Sequence, residues 1–153
     1  MNTVSLSHQL KIIENYIPYH KKVNLKQSKV SVGWHLYHSL KVINTVVSVM
    51  KKSDPKEYND NFKFLGKVLL AFNYFPKGKA KAPKQVNITE TILEETILEQ
   101  LKTVNSNLET LKSLPKNAFF VHPLFGNVNK VRVCKFFKTH TNHHLKIIES
   151  ILK

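Results

Sequence analysis

Arginine is almost missing from this chain: of its 24 basic residues, Arg132 alone is not lysine. Specific reading of phosphates and base edges leans on the planar, bidentate guanidinium, so a formal charge of +14 does not by itself make a nucleic-acid-binding protein. The lysines are also scattered. Lys21 and Lys22, Lys51 and Lys52, and Lys77, Lys79, Lys81 and Lys84 fall mostly where helix ends and loops are expected. A solvated, lysine-biased surface accounts for them, and nucleic acid is not an expected partner. A polyanion-binding module would instead need one contiguous lysine face and a steep salt dependence.

Other shortages narrow the class further. Cys134 is the single cysteine, which excludes an intramolecular disulfide and leaves nothing to imply an oxidising compartment. Four glycines and six prolines are too few for many short strands joined by tight turns, and favour long helices. No stretch approaches the roughly 18 apolar residues of a membrane span. The opening MNTVSLSHQLKIIENYIPYHKK has no early basic cluster, unbroken apolar core or small-residue cleavage pattern, so no membrane partner is expected and the cytoplasm is the expected location. What is present suits a single domain over residues 1–153. With 42% hydrophobic and 22% charged residues, the chain lies well outside the regime of disorder.

Periodicity predicts an all-α fold. A first helix over about Leu6 to Tyr19 is marked by Leu10, Ile13, Tyr16 and Ile17, with Pro18 disturbing its end. Ser28 or Ser31 can cap a second, over about Val32 to Met50, whose stripe runs Trp34, His38, Val42, Thr45 or Val46, and Val49. Asp54 and Pro55 open a further helical stretch carried by Phe62, Leu65, Val68, Leu69 and Phe72 to about Phe75. PKGKAKAPKQVN (76–87) reads as an ordered but exposed crossover. Thr89 and the glutamates after it begin a long helix with Ile92, Leu93, Ile97, Leu101, Val104, Leu108 and Leu111. A last helix, about Val128 to Leu152, turns Val133, Phe137, His140 or Thr141, His144, Ile148 and Ile151 inward. FFVHPLFG before it could form a brief strand, but a lone strand has no partner, so a loop is expected.

Histidines occupy places on these stripes that apolar residues would otherwise take. His140 and His144 are four residues apart, so their imidazoles stack on one helix face, one turn apart, as a shared divalent ion requires. His143 is turned about 100 degrees away from His144. A third ligand must come from another helix, and His38, mid-stripe in SVGWHLYHSLKV, is the candidate. Three neutral imidazoles leave coordination positions open for water or substrate, and suit zinc or nickel better than iron or manganese. The plainer alternative is three core histidines, each bonded to a neighbour, which would need donors and acceptors of their own.

Other chemistries find less support. Cys134 does not share a face with His140 and reads as a structural thiol. Gly33, Gly66, Gly78 and Gly126 form no phosphate-cradling loop, and no inward carboxylate pair suggests glycosidase chemistry. Glu149 could orient a histidine from one turn away but is expected to face solvent.

SVGWHLYHSLKVI, HPLFGN and HTNHHLKIIESIL together resemble the DinB/YfiT-like superfamily, in a branch with an HP-x-FG turn before an H-x-x-H-H helix; FPKGKAKAP is similar to that branch as well. The resemblance spans nearly the whole chain. It implies a four-helix bundle with a long crossover containing an extra helix, and a metal held by His38, His140 and His144, with His35 as a reserve beside the ligand. Some relatives are metal-dependent transferases or isomerases that use low-molecular-weight thiols, in which the ion would hold the thiol as a nucleophilic thiolate. An anionic thiol is therefore the implied small-molecule partner, and a homodimer the assembly that relatives often adopt. Trp34, Tyr37, His122 and His143 are the further candidates for shaping the pocket. A non-catalytic metal-binding or structural bundle is the alternative.

Overall fold

The computed structural model describes residues 4–77 and 92–153. It is mostly helical, with five α-helices and one small hairpin among the described residues. Helix α1 (Val4–Tyr16) buries Leu6, Leu10 and Ile13, and gives way at Pro18 to a 3-10 turn over Ile17–Tyr19. Helix α2 (Val32–Lys52) is capped by Ser31, whose hydroxyl accepts from the Trp34 N–H at 3.2 Å. Its first N–H groups are satisfied by the preceding loop, Val32 donating to the Lys22 carbonyl at 2.9 Å and Gly33 to that of His20 at 2.8 Å. A side chain at position 33 would meet the His20 carbonyl oxygen at 2.9 Å, so glycine is what lets this loop lie on the helix start.

Helix α3 (Phe64–Ala71) is the extra helix between α2 and α4. Helix α4 (Glu94–Ser113) has Glu94 and Glu95 in its first turn and Lys112 in its last, complementing the helix dipole. Helix α5 (Lys130–Leu152) is capped by Asn129. α2 lies against both α4 and α5, and α1 against α5 with lighter contacts to α2 and α4. Leu36, Ile97, Phe137 and Ile13 are fully buried between them. Each such side chain contributes on the order of 2 kcal/mol of apolar burial. None of the described helices is long and apolar enough to cross a membrane.

Three expectations change. FFVH does form a strand, β1 (Phe119–His122), paired antiparallel with β2 (Gly126–Asn129), so the fold is not purely α and α5 starts at Lys130 rather than Val128. The missing partner is GNVN, three residues on: a turn, Pro123 to Phe125, closes on Gly126 at φ +77, a backbone that glycine adopts freely. The stretch opened by Asp54 is only a 3-10 turn, Pro55–Glu57, and α3 begins at Phe64 and ends at Ala71. The polar run Asn59–Asp60–Asn61 is drawn instead into hydrogen bonds with the hairpin and α5. Asn61 Oδ1 accepts from the Asn127 N–H, and Asn127 Nδ2 donates to the Asn59 carbonyl at 2.9 Å. Arg132 spans Asp60 with two bonds of 3.0 and 2.8 Å. Val49, Leu65, Phe72 and Leu93, placed on inward stripes by periodicity, are exposed. Thr89 and most of the crossover 76–87 lie outside the described residues, in which α4 spans Glu94–Ser113.

Candidate metal centre

His38 sits in the first half of α2 and faces His140 and His144 on α5. One ring nitrogen from each lies within 4.8 Å of the other two. Nε2 of His144 lies 3.3 Å from Nε2 of His140. Two nitrogens bound to one tetrahedral zinc at about 2.0 to 2.1 Å stand about 3.3 Å apart, so this pair already has the required spacing. Ring centroids of 4.6, 4.7 and 5.1 Å among the three show them converging rather than splayed.

Burial decides the protonation state. Loss of hydration pushes the His140 and His144 imidazoles well below their usual value, and neighbouring histidines add to the shift. Both are therefore neutral near pH 7, the form that ligates a metal. Nδ1 of His140 is buried with no hydrogen-bond partner. Of the two residues that periodicity could not separate at this point of α5, His140 is half-buried and joins the triad, whereas Thr141 is fully buried.

Aromatic rings flank the triad. Trp34 stacks on His38 with centroids 4.6 Å apart and planes 7° from parallel. Phe136 lies 5.9 Å from the His140 ring at 24°, and Phe75 at 6.4 Å edge-on. Behind His144 stands His35, almost wholly buried, its Nδ1 2.9 Å from His144 Nδ1 and its Nε2 2.9 Å from Ser28 Oγ. Burial, then the charges of His38, His143 and Lys77, lower His35 to about 3, so it too is neutral.

The remaining candidates separate. His143 meets His144 edge-on at 5.1 Å and lies beside Phe75, outside the triad. His122 is on the hairpin, stacked on Phe125 at 4.1 Å; its Nδ1 accepts from the Leu124 N–H, and it approaches His140 only across Phe136. Burial lowers it to about 4. Tyr37 is half-buried, with the Lys41 ammonium 6.0 Å from its ring, and makes no contact seen to join it to the triad. Burial raises the half-buried Cys134 thiol, which suits a structural residue, and Glu149 is exposed.

Sequence reasoning missed Ser28, Phe75 and Phe136. Ser28 had been weighed only as a helix cap, a place Ser31 takes, and its distance from His35 depends on a loop no periodicity describes. Phe136 stands beside Phe137 on α5, and four residues before His140 it was open to the same one-turn argument as His144. No family model, curated protein or solved structure matches this chain.

Proposed function

We propose that the protein binds a divalent metal ion through His38, His140 and His144, zinc or nickel best suiting three imidazoles, and that it is a metal-dependent enzyme of the DinB/YfiT type. The convergence of three imidazoles from two helices within 4.8 Å, His140 and His144 among them held neutral by burial, carries the first part. The orphaned His140 Nδ1 adds to it, because a cluster of core histidines built only for stability would be expected to pair its buried nitrogens. The enzyme class rests on the motifs SVGWHLYHSLKVI, HPLFGN and HTNHHLKIIESIL, and with it come the anionic low-molecular-weight thiol and the homodimer. A bound ion would supply a Lewis acid that lowers the pKa of a thiol or water. The chain's own part would be to orient that ligand between the rings of Trp34, Phe75 and Phe136.

Metal analysis of protein purified without a histidine tag tests the first part. About one equivalent of zinc or nickel is expected, falling below about a tenth in His144→Ala; less than that in the wild type removes the reading. Cobalt-loaded protein titrated with glutathione tests the second. A new sulfur-to-cobalt charge-transfer band is expected, and an unchanged spectrum removes the thiol.

A second reading is a non-catalytic metal-binding or structural bundle. His38 and His144 are 3% and 7% exposed, and three large rings flank them, which suits an ion that holds helices together. Metal at full occupancy with no response to thiol, and a large loss of stability on chelation, would favour it.

A further inference from the structure

Ser28, His35, His144 and His140 are joined in series. Ser28 Oγ lies 2.9 Å from His35 Nε2, His35 Nδ1 lies 2.9 Å from His144 Nδ1, and His144 Nε2 lies 3.3 Å from His140 Nε2. A neutral imidazole has one N–H and one lone pair, so the direction of any one of these bonds fixes the rest. In one direction His140 Nε2 donates to His144 Nε2, His144 Nδ1 donates to His35 and His35 Nε2 donates to Ser28, so that His144 Nε2 keeps its lone pair on the side of the triad. In the other, Ser28 donates, every proton moves across its ring, and His144 Nε2 carries hydrogen and cannot ligate.

His140 Nδ1 separates the two. It is buried and without a partner. In the first direction it is a bare lone pair; in the second it is an orphaned N–H, which native interiors tolerate less well. Ser28 Oγ also accepts from the Val30 N–H at 3.2 Å, so the backbone of the loop before α2 holds the hydroxyl in place. Gly33 and the bonds to Lys22 and His20 in turn pin that loop to α2.

We propose that Ser28 and His35 are positioning residues that hold His144 as its Nδ1–H tautomer, so that its Nε2 keeps a lone pair toward the triad; in the metal-free protein that lone pair accepts from His140 Nε2–H, and the His140 proton moves to Nδ1 when a divalent cation takes its place. This rests on the metal-binding reading. It goes beyond it by giving affinity to a pair of residues that touch no metal, one of them on a loop. Ligating histidines are commonly oriented by a partner on the far ring nitrogen, usually a carboxylate or carbonyl; here a second imidazole backed by a hydroxyl takes that place.

Two measurements test it. Long-range nitrogen–proton NMR of the metal-free wild type should show His144 protonated on Nδ1 and bare on Nε2, with His35 protonated on Nε2; the reverse pattern overturns the proposal. Cobalt affinity, measured by competition with a chelator, should fall about 10- to 100-fold in His35→Leu. It should recover most of that loss in His35→Asn, whose carbonyl oxygen can stand where Nδ1 stood, and fall by a smaller factor in Ser28→Ala. A purely structural role would not separate leucine from asparagine in this way. Wild type that binds cobalt while His35→Leu binds equally well overturns this inference alone, whereas wild type that binds none overturns the metal reading and this inference with it. Should His35→Leu fail to fold, the tautomer spectrum and Ser28→Ala still decide.

Discussion

Helix α2 carries two buried polar clusters, and they are finished differently. Near its middle, Asn44 faces α4, donating from Nδ2 to the Gln100 carbonyl at 3.1 Å and to Gln100 Oε1 at 2.9 Å, and accepting at Oδ1 from Asn107 at 2.9 Å. Both donors and the acceptor of that amide are used inside the protein. One and a half turns earlier His38 faces α5, where His140 has a buried nitrogen with no partner and two Nε2 atoms stand at 3.3 Å. A closed network contributes to stability and register; an open one keeps lone pairs for something the chain does not itself contain. The contrast favours the proposed metal site over a purely structural role for the histidines, without reference to any relative.

The largest effect should come from closing the open cluster. His140→Leu removes one imidazole of the triad and one orphaned polar atom together. Metal uptake should drop below about a tenth of an equivalent, while the metal-free protein should stay within about 1 kcal/mol of the wild type in a urea titration, because removal of the orphaned Nδ1 offsets the loss of the partner of His144 Nε2. A loss well beyond 1 kcal/mol without metal would show that the histidines hold the fold, and the contrast would fail. Asn44→Leu should do the opposite. It leaves Gln100 and Asn107 without their shared partner, costing about 2 to 3 kcal/mol, and should leave metal stoichiometry unchanged.

The same contrast explains what the sequence made legible. Helix positions followed from apolar repeats, since Ile97, Leu101, Val104 and Leu111 can share one face of a 3.6-residue period only in a helix. His38, His140 and His144 were legible for the same reason, as polar residues on otherwise apolar stripes. What escaped was set by contacts between segments far apart in sequence. Arg132 had been read only for what its scarcity excludes, yet it bridges Asp60 and Tyr58 and lies 4.8 Å above the Phe62 ring. The β-hairpin was lost because FFVH was judged without GNVN, although Pro123 and Gly126 are turn residues at the right places. Ser28 was lost because a loop residue's partner depends on how the loop folds back.

A smaller effect is expected at Gly126. Its φ of +77 is strained for any other residue, and a Cβ would stand 2.7 Å from the backbone oxygen of Asn61. Gly126→Ala should therefore cost about 1 to 2 kcal/mol, seen as a lower Tm. The hairpin reaches His140 through the intervening rings of Phe136 and Phe75 and not directly, so cobalt affinity should change by less than about threefold, on the order of 0.6 kcal/mol. A Tm near that of the wild type would mean that the turn is not held as described. A large loss of affinity would mean that the hairpin is part of the open cluster.

His122 lies between the two kinds of polar group, and it gives the smallest and most specific effect. Its Nδ1 is satisfied by the Leu124 N–H, so by the argument above it belongs with the closed groups and His122→Phe should leave metal stoichiometry unchanged. The ring is nonetheless held neutral, at about 4 in the folded protein against 6.5 ordinarily, by burial. Since the folded value is the lower one, the unfolded chain takes up the proton first. This residue's contribution is then fully present above pH 6.5 and is lost as pH falls from there toward 4. Phenylalanine can keep the stack on Phe125 but cannot be protonated. Metal-free His122→Phe should start lower at neutral pH, having lost the bond to Leu124, and should then fall less steeply with acid than the wild type. The gap between the two urea titrations should narrow by about 1 kcal/mol over that range, allowing for partial solvent screening of a half-buried ring. His140 and His144 are shifted in the same direction and remain in both proteins, so the difference in slope belongs to position 122. Parallel pH profiles would show that His122 is hydrated, and would move it out of the packed hairpin to which the ring contacts assign it.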